Sequence, residues 1–211
     1  MRYMNISSSK IAAVDLFCGV GGLTHGFFLE GLKVNAGIDM DAACQYPYEV
    51  NNRTQFIQSD VTQITGQQLN QIFGKSRIRV LAGCAPCQPF STYAHKYDVK
   101  RDNKWSLLQQ FSRLIKESSP EIVTMENVPS VCKHEVFNSF VRSLKRRGYY
   151  VWHDVVDSSL YGAPQSRKRM VLLASLLGEI EFIPPTRKKA KTVRDAIGGL
   201  EKIRAGSISA K

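Results

Sequence analysis

The sequence predicts an α/β fold on a mostly parallel sheet, and three observations carry that prediction. An apolar run at 11–17 enters a glycine turn and then a helical stretch ended by Gly31, the first unit of a nucleotide-binding α/β fold. Short apolar runs recur along the chain and deliver polar residues at their carboxyl ends: Asp39, Asp60, the loop around Cys87, and Glu126 with Asn127. Two further runs, at 148–157 and 169–174, are joined by a short connection, which makes them antiparallel neighbours.

The 211 residues suit one α/β domain or little more. At 43% apolar and 22% charged, the chain has globular composition. No apolar run approaches membrane-spanning length, and the start, MRYMNISSSK, lacks the apolar centre of an export signal, so no membrane association is expected. Five scattered cysteines are then expected to be free thiols in a reducing cytoplasm. The net charge of +11 is uneven: residues 1–141 carry 14 basic and 12 acidic side chains, residues 142–211 carry 15 and 6. A basic half suits a polyanion, most simply nucleic acid; lysines kept for solubility are the plainer reading.

Taken in order, strand one at 11–17 runs into Cys18-Gly19-Val20-Gly21-Gly22 and a helix over 23–30. Glycines there let the backbone approach a ligand, and the helix start presents free N–H groups; a mere tight turn is the plainer reading. Strand two, 32–38, ends at Asp39, 20 residues after Gly19, the spacing at which an acid takes ribose hydroxyls. Asp39 as a helix cap is the alternative, with Asp41 the better cap candidate. A helix over 42–51, a short strand at 56–59 ending at Asp60, a helix over 66–76 and a strand over 78–82 follow.

That fourth strand leads into Gly83-Cys84-Ala85-Pro86-Cys87-Gln88-Pro89-Phe90-Ser91. Each proline fixes its own φ and pushes the residue before it towards an extended shape, so the loop is stiff. A thiol held at the carboxyl end of a strand has the fixed position and access that a cysteine nucleophile needs. A buried Cys87 and a Cys84/Cys87 zinc or redox pair are the plainer readings.

Residues 92–104 are polar, basic and aromatic without periodicity, consistent with a lid over a substrate or an ordinary surface loop in which His95 is solvated. Leu107, Leu108, Phe111, Leu114 and Ile115 recur at helical spacing, and Pro120 ends that helix. Strand five, 121–125, delivers Glu126 and Asn127. Burial there would raise the carboxyl pKa and make Glu126 a proton donor; capping a helix over 133–147 is the alternative. Between strands six and seven, Gln165-Ser166-Arg167-Lys168-Arg169 brings two arginines near the sheet end, or forms only a basic hairpin. Residues 184–191 read as a linker and 192–197 as a short amphipathic helix; beyond them no closing element is evident.

These residues together resemble the cytosine-C5 DNA methyltransferases. The match runs in order through Asp15-Leu16-Phe17-Cys18-Gly19-Val20-Gly21-Gly22 with Gly26-Phe27, Asp39, Asp60, Pro86-Cys87-Gln88, Glu126-Asn127-Val128 and Gln165 to Arg169. The resemblance implies the Rossmann-like methyltransferase fold: seven strands, mostly parallel, the last antiparallel. It implies S-adenosylmethionine as cofactor, bordered by Asp15, Phe17, Gly19, Val20, Gly21, Gly22, Leu23, Val61 and Pro86. Asp39 would take the ribose hydroxyls, Met40 would lie on the adenine, and Asp60 would accept from its exocyclic amine. Relatives mostly carry Glu where Asp39 stands.

By the same resemblance, Cys87 adds to C6 of a flipped-out cytosine in double-stranded DNA, Glu126 protonates N3, Asn127 fixes the loop, Arg167 binds O2, and Arg169 completes the catalytic set. Gln88, Ser91, Lys96, Arg101, Gln165 and Lys168 would meet the DNA. The family continues with a target-recognition domain and a final motif that completes the cofactor pocket, and neither is found here. The expected organisation is therefore a catalytic domain over 1–183 and a linker over 184–211, with recognition supplied by a second chain or a missing region. The chain would be a split-enzyme subunit, a fragment or an inactive relic, with apolar surface left bare near 11–31 and weak cofactor binding. Two other functions compete: tRNA cytosine methylation, whose Cys-Phe-Thr signature is not found, and a non-catalytic cofactor- or DNA-binding module.

Overall fold

The computed structural model describes residues 11–86, 106–185 and 189–201, with 203, 205 and 206. Within them the chain runs β1 (Ile11–Leu16), α1 (Gly22–Leu29), β2 (Val34–Asp39), α2 (Gln45–Asn52), β3 (Gln55–Gln58), α3 (Gly66–Phe73) and β4 (Ile78–Gly83). It continues through α4 (Ser106–Ser118), β5 (Ile122–Asn127), α5 (Glu135–Arg146), β6 (Tyr150–Asp157), β7 (Lys168–Ser175) and α6 (Val193–Ile197). The strands form one seven-stranded sheet in the order β3-β2-β1-β4-β5-β7-β6. Pairs from β3 to β5 are parallel, while β7 runs antiparallel to both β5 and β6. The expected α/β methyltransferase architecture is the observed one.

Strand order reverses between β1 and β4, which pair in register from Ile11↔Ile78 to Leu16↔Gly83. In such sheets the crevice beyond the carboxyl ends at that reversal is the ligand site. Both the glycine turn and the loop leading to Cys87 leave from it.

The two faces of the sheet are unequally covered. On one face, β1, β4, β5 and β7 contribute Val14, Leu81, Met125 and Leu172 to a core shared with Phe73 of α3, Phe111 of α4 and Phe137 of α5. On the other, among the described residues, α1 and α2 pack over the β3–β4 half through small clusters around Phe27 and Tyr48, the first reaching Ile122 at the edge of β5. Along β5 the burial alternates, with Val123, Met125 and Asn127 buried but Ile122, Thr124 and Glu126 only half-buried. In β7, Val171 and Leu173 are likewise half-buried.

Several boundaries move. The helix expected over 42–51 is a 3-10 turn, Ala42–Cys44, capped by Asp41, followed by α2. The helix expected to reach 76 stops at Phe73 because Gly74 turns to φ 62°. Strand five extends two residues beyond its expected end, since β7 goes on pairing with it at Glu126↔Val171 and Asn127↔Met170. After β7 the chain folds back: Phe182 stacks on Trp152 at 5.3 Å and Tyr161 Oη donates to the Ile183 carbonyl. No helix among the described residues is long and apolar enough to cross a membrane.

Candidate active site

The glycine turn is built on left-handed backbone. Phe17, Gly19 and Gly21 have φ of 58°, 51° and 88°; for a bulky residue such as Phe17 this conformation is uncommon and strained. The turn is fastened to the next strand by Cys18 N donating to the Ile38 carbonyl at 3.2 Å. Asp39 fastens it again: its Oδ2 accepts from Gly19 N at 2.9 Å, while Oδ1 accepts from Asp41 N at 3.0 Å. Asp39 is thus oriented before any ligand arrives, with lone pairs remaining on both oxygens. α1 begins at Gly22 with no side-chain cap, so its first N–H groups face the turn without one.

Beneath the turn lies a buried polar chain that the sequence reading did not identify. Thr24 Oγ1 donates to Asp15 Oδ2 at 2.8 Å and stands 3.0 Å from Tyr48 Oη. Tyr48 is fully buried, in space that Gly21 and Gly37 leave free: a Cβ on either would overlap its ring. A glycine inside the β2 run was the available signal for this close approach. Asp15 is only 1% exposed. Burial pushes its carboxyl up to about 7, against the lowering effect of the Thr24 hydrogen bonds. Asp15 therefore supports the turn from below through Thr24.

The other expected cofactor residues form a rim. Val20 is 57% and Met40 70% exposed, and Leu23 is half-buried. Asp60 is exposed and caps a 3-10 turn, Val61–Gln63, by accepting from Thr62 N at 2.8 Å. Val61 is 3% exposed and packed in the core, so only its backbone borders this rim. Pro86 is exposed at the edge of the described residues. The residues fit an adenosyl ligand: among the described residues nothing stands within 4 Å of where a Cβ on Gly19 or Gly22 would sit, and the Asp39 and Asp60 carboxylates, at the end of β2 and just past β3, offer acceptors.

The chemistry-bearing side chains meet at the ends of β4, β5 and β7. Glu126 Oε1 lies 2.7 Å from Arg169 Nε, with the two side chains 32% and 27% exposed. Glu126 was expected to be buried; it is instead about one-third exposed and paired, because β7 brings Arg169 alongside. Asn127 is buried, and its Nδ2 donates to the Ala85 carbonyl at 3.1 Å while Oδ1 accepts from Val128 N. That bond anchors the loop two residues before Cys87. Burial first, then the Glu126 and Asp15 carboxylates, push the Cys84 thiol well up from its ordinary range, which leaves it unsuited to serve as a thiolate. Gln165 and Arg167 at the turn before β7, and Lys168 at its first position, have exposed side chains, and the Arg167 carbonyl accepts from Ser158 N and Oγ. Arg169, not Arg167, is the arginine in contact with Glu126. Cys87, Gln88, Ser91, Lys96 and Arg101, with the 92–104 loop and His95, lie outside the described residues.

Residues 11–206 match the family described as C-5 cytosine-specific DNA methylase. The chain is 51% identical over 194 residues to the Type II methylase M.HgiDII of Herpetosiphon aurantiacus, covering 90% of this chain and 54% of that protein. It is 27% identical to the Type II methyltransferase M.AquIA of a Picosynechococcus strain, covering 89% of this chain and 88% of that one. Among solved structures, a candidate DNA modification methyltransferase encoded within an E. coli prophage superposes with a TM-score of 0.77 at 28% identity. That match covers 92% of this chain and 56% of the other. The chain thus spans about half the length of M.HgiDII and of that structure, and most of M.AquIA.

Proposed function

The chain belongs to the C-5 cytosine-specific DNA methylase family, and from that premise we propose that it carries the catalytic half of a DNA cytosine-C5 methyltransferase of a restriction-modification system. The observation that carries the reading is the Glu126–Arg169 pair beside an Asn127-anchored loop that runs into Cys87. S-adenosylmethionine would be held by the glycine turn, Asp39, Met40 and Asp60, and would supply an electrophilic methyl group for C5 of the base.

The protein's own residues make C5 reactive. C5 of cytosine is a weak nucleophile until a thiolate adds at C6. Cys87 Sγ forms that bond, and the ring electrons move towards C5 and N3. Glu126 protonates N3 as charge builds, and Arg169 fixes the carboxyl that does so. Arg167 contacts O2 of the base. After methylation a water molecule takes the C5 proton, the C6–S bond breaks with Cys87 leaving as thiolate, and N3 returns its proton to Glu126. C6 is out of reach inside a duplex, so the base is flipped out of it. The basic second half suits a DNA backbone.

Sequence recognition is proposed to come from polypeptide beyond these residues, in a second chain or a continuation of this one. Two observations support that. Among the described residues, an apolar groove of about 730 Å³ opens between α1 and the return segment, lined by Leu23, Phe27, Leu29, Leu173, Phe182 and Ile183. M.HgiDII is also roughly twice this length, whereas M.AquIA is close to it.

The test is transfer of labelled methyl from S-adenosylmethionine to mixed-sequence DNA, by the chain alone and with the product of the neighbouring reading frame. Activity that requires the second product supports the split reading, and Cys87→Ser should abolish it. Full activity of the chain alone would overturn the need for further polypeptide. Transfer to tRNA but not to DNA would favour the RNA-directed alternative.

A further inference from the structure

We infer that Arg113 is a positioning residue for the adenine end of the cofactor, acting through Asp60; this rests on the cofactor reading above. Asp60 sits at the amino end of a turn of only three residues, Val61–Gln63. So short a 3-10 turn has almost no hydrogen-bond ladder of its own, and its place must be set from outside.

α4 sets it. Arg113 Nη2 donates to the carbonyls of Ile64 at 2.8 Å and Val61 at 3.2 Å, with Thr62 at 3.5 Å. Its Nη1 pairs with Glu117 one turn on, at 3.0 Å, and its Nε donates to Gln110 Oε1 at 2.6 Å. Glu117 continues the grip, its Oε2 accepting from Gly66 N at 2.8 Å. Gly66 lies so close that a Cβ there would overlap the Glu117 side chain. Two side chains on α4 therefore hold both ends of the 61–66 segment.

The electrostatics are ordered as well. A carboxylate caps the amino end of the turn and a guanidinium collects the carbonyls at its other end, the arrangement a row of peptide dipoles favours. Arginine suits this role because its planar fork reaches several acceptors at once, whereas a lysine ammonium is a single point. On the far side, Ser59 N donates to the Asp39 carbonyl at 2.9 Å. The two acceptors, Asp39 and Asp60, are thereby held in one frame.

The experiment is calorimetric titration of the full 211-residue chain with S-adenosylhomocysteine and with its inosine counterpart, which lacks the exocyclic amine. The unaltered chain should prefer the adenosine form through Asp60. Arg113→Gln should lose about tenfold of that preference, the loss expected when one charge-assisted contact is misplaced, with the inosine affinity nearly unchanged. Asp60→Asn should abolish the preference, and adding Arg113→Gln to it should cost nothing further. Equal weakening of both ligands by Arg113→Gln, or none, overturns the proposal. If Arg113→Gln fails to fold, Arg113→Lys carries the same test and should lose part of the preference. No binding of either ligand, by the unaltered chain alone or together with the neighbouring reading frame's product, would instead refute the cofactor reading.

Discussion

Arg169 Nε stands 2.7 Å from Glu126 Oε1 across the β5–β7 pairing. The contact exists because β7 is antiparallel to β5 and sets Val171 opposite Glu126. Arg169, two residues before Val171, falls on the same face of the sheet. The pairing favours one orientation of the Glu126 carboxyl.

The first prediction follows from that geometry. Arg169→Met should lower single-turnover methyl transfer by about 100-fold, the scale of losing one aimed donor in a site. Binding of S-adenosylhomocysteine should be unchanged, since no contact to the turn is touched. Arg169→Lys should restore only part of the rate, because an ammonium lacks the planar fork. Arg167→Met, measured beside them, separates the two arginines: a larger loss there would return the principal role to Arg167.

How far these residues were legible in sequence depends on whether the signal was local. β1, β2 and β4 were readable because strands buried on both faces are continuous apolar runs with polar residues at their ends. The glycine turn and Asp39 were readable for the same reason, and Gly19 N bonds the very carboxylate that lies 20 residues on. Glu126 and Asn127 were placed just past a strand that includes them, since only the β7 partner determines where β5 stops. Choosing between Arg167 and Arg169 required the strand boundary, because the two fall on the same alternation and only Arg169 lies within β7, while Arg167 belongs to the turn before it. Arg113 carried no local signal: it is one polar position on an amphipathic helix until the 61–64 carbonyls come to it.

The buried Asp15 makes a pH prediction. Its carboxyl rises from an ordinary 3.8 to about 7 in the folded protein, chiefly through burial. Between those values the native state binds the proton more tightly than the unfolded state, so stability falls as pH rises through that window and levels off above the folded value of about 7. Asp15→Asn cannot ionise, yet it still offers an oxygen to Thr24. Its stability should therefore decline less than that of the unaltered chain between pH 5 and pH 8. Urea denaturation at both pH values checks this; parallel declines would show that Asp15 is not the titrating group.

Tyr48 and Gly37 make a packing prediction. Gly37 Cα lies under the Tyr48 ring, and a methyl there has no room. Gly37→Ala should cost about 1–3 kcal/mol in urea denaturation, the usual penalty of overpacking a core. It should also weaken S-adenosylhomocysteine binding, because displacing Tyr48 moves its Thr24 contact and the floor of the turn. Shortening the ring in Gly37→Ala/Tyr48→Leu should recover part of the stability but not the Tyr48–Thr24 hydrogen bond. A Gly37→Ala chain as stable as the original would mean that Tyr48 relocates freely.

The apolar groove makes the last prediction. Leu29 is 70% and Ile183 76% exposed on either side of it, and Phe28, half exposed, flanks Leu29 on α1. Apolar surface gathered this way, beside a sheet half that no helix covers among the described residues, marks a contact site more often than free surface. Leu29→Glu removes no buried contact, so stability should shift by no more than about 0.5 kcal/mol. The same change sets a carboxylate where an apolar partner would rest, at the desolvation cost a buried unpaired charge carries. It should therefore abolish complementation by the neighbouring reading frame's product while leaving the chain's own melting temperature in place. Sedimentation of the mixed polypeptides reads the association directly. Complementation that survives Leu29→Glu would place the partner's contact on another surface and leave the groove without that role.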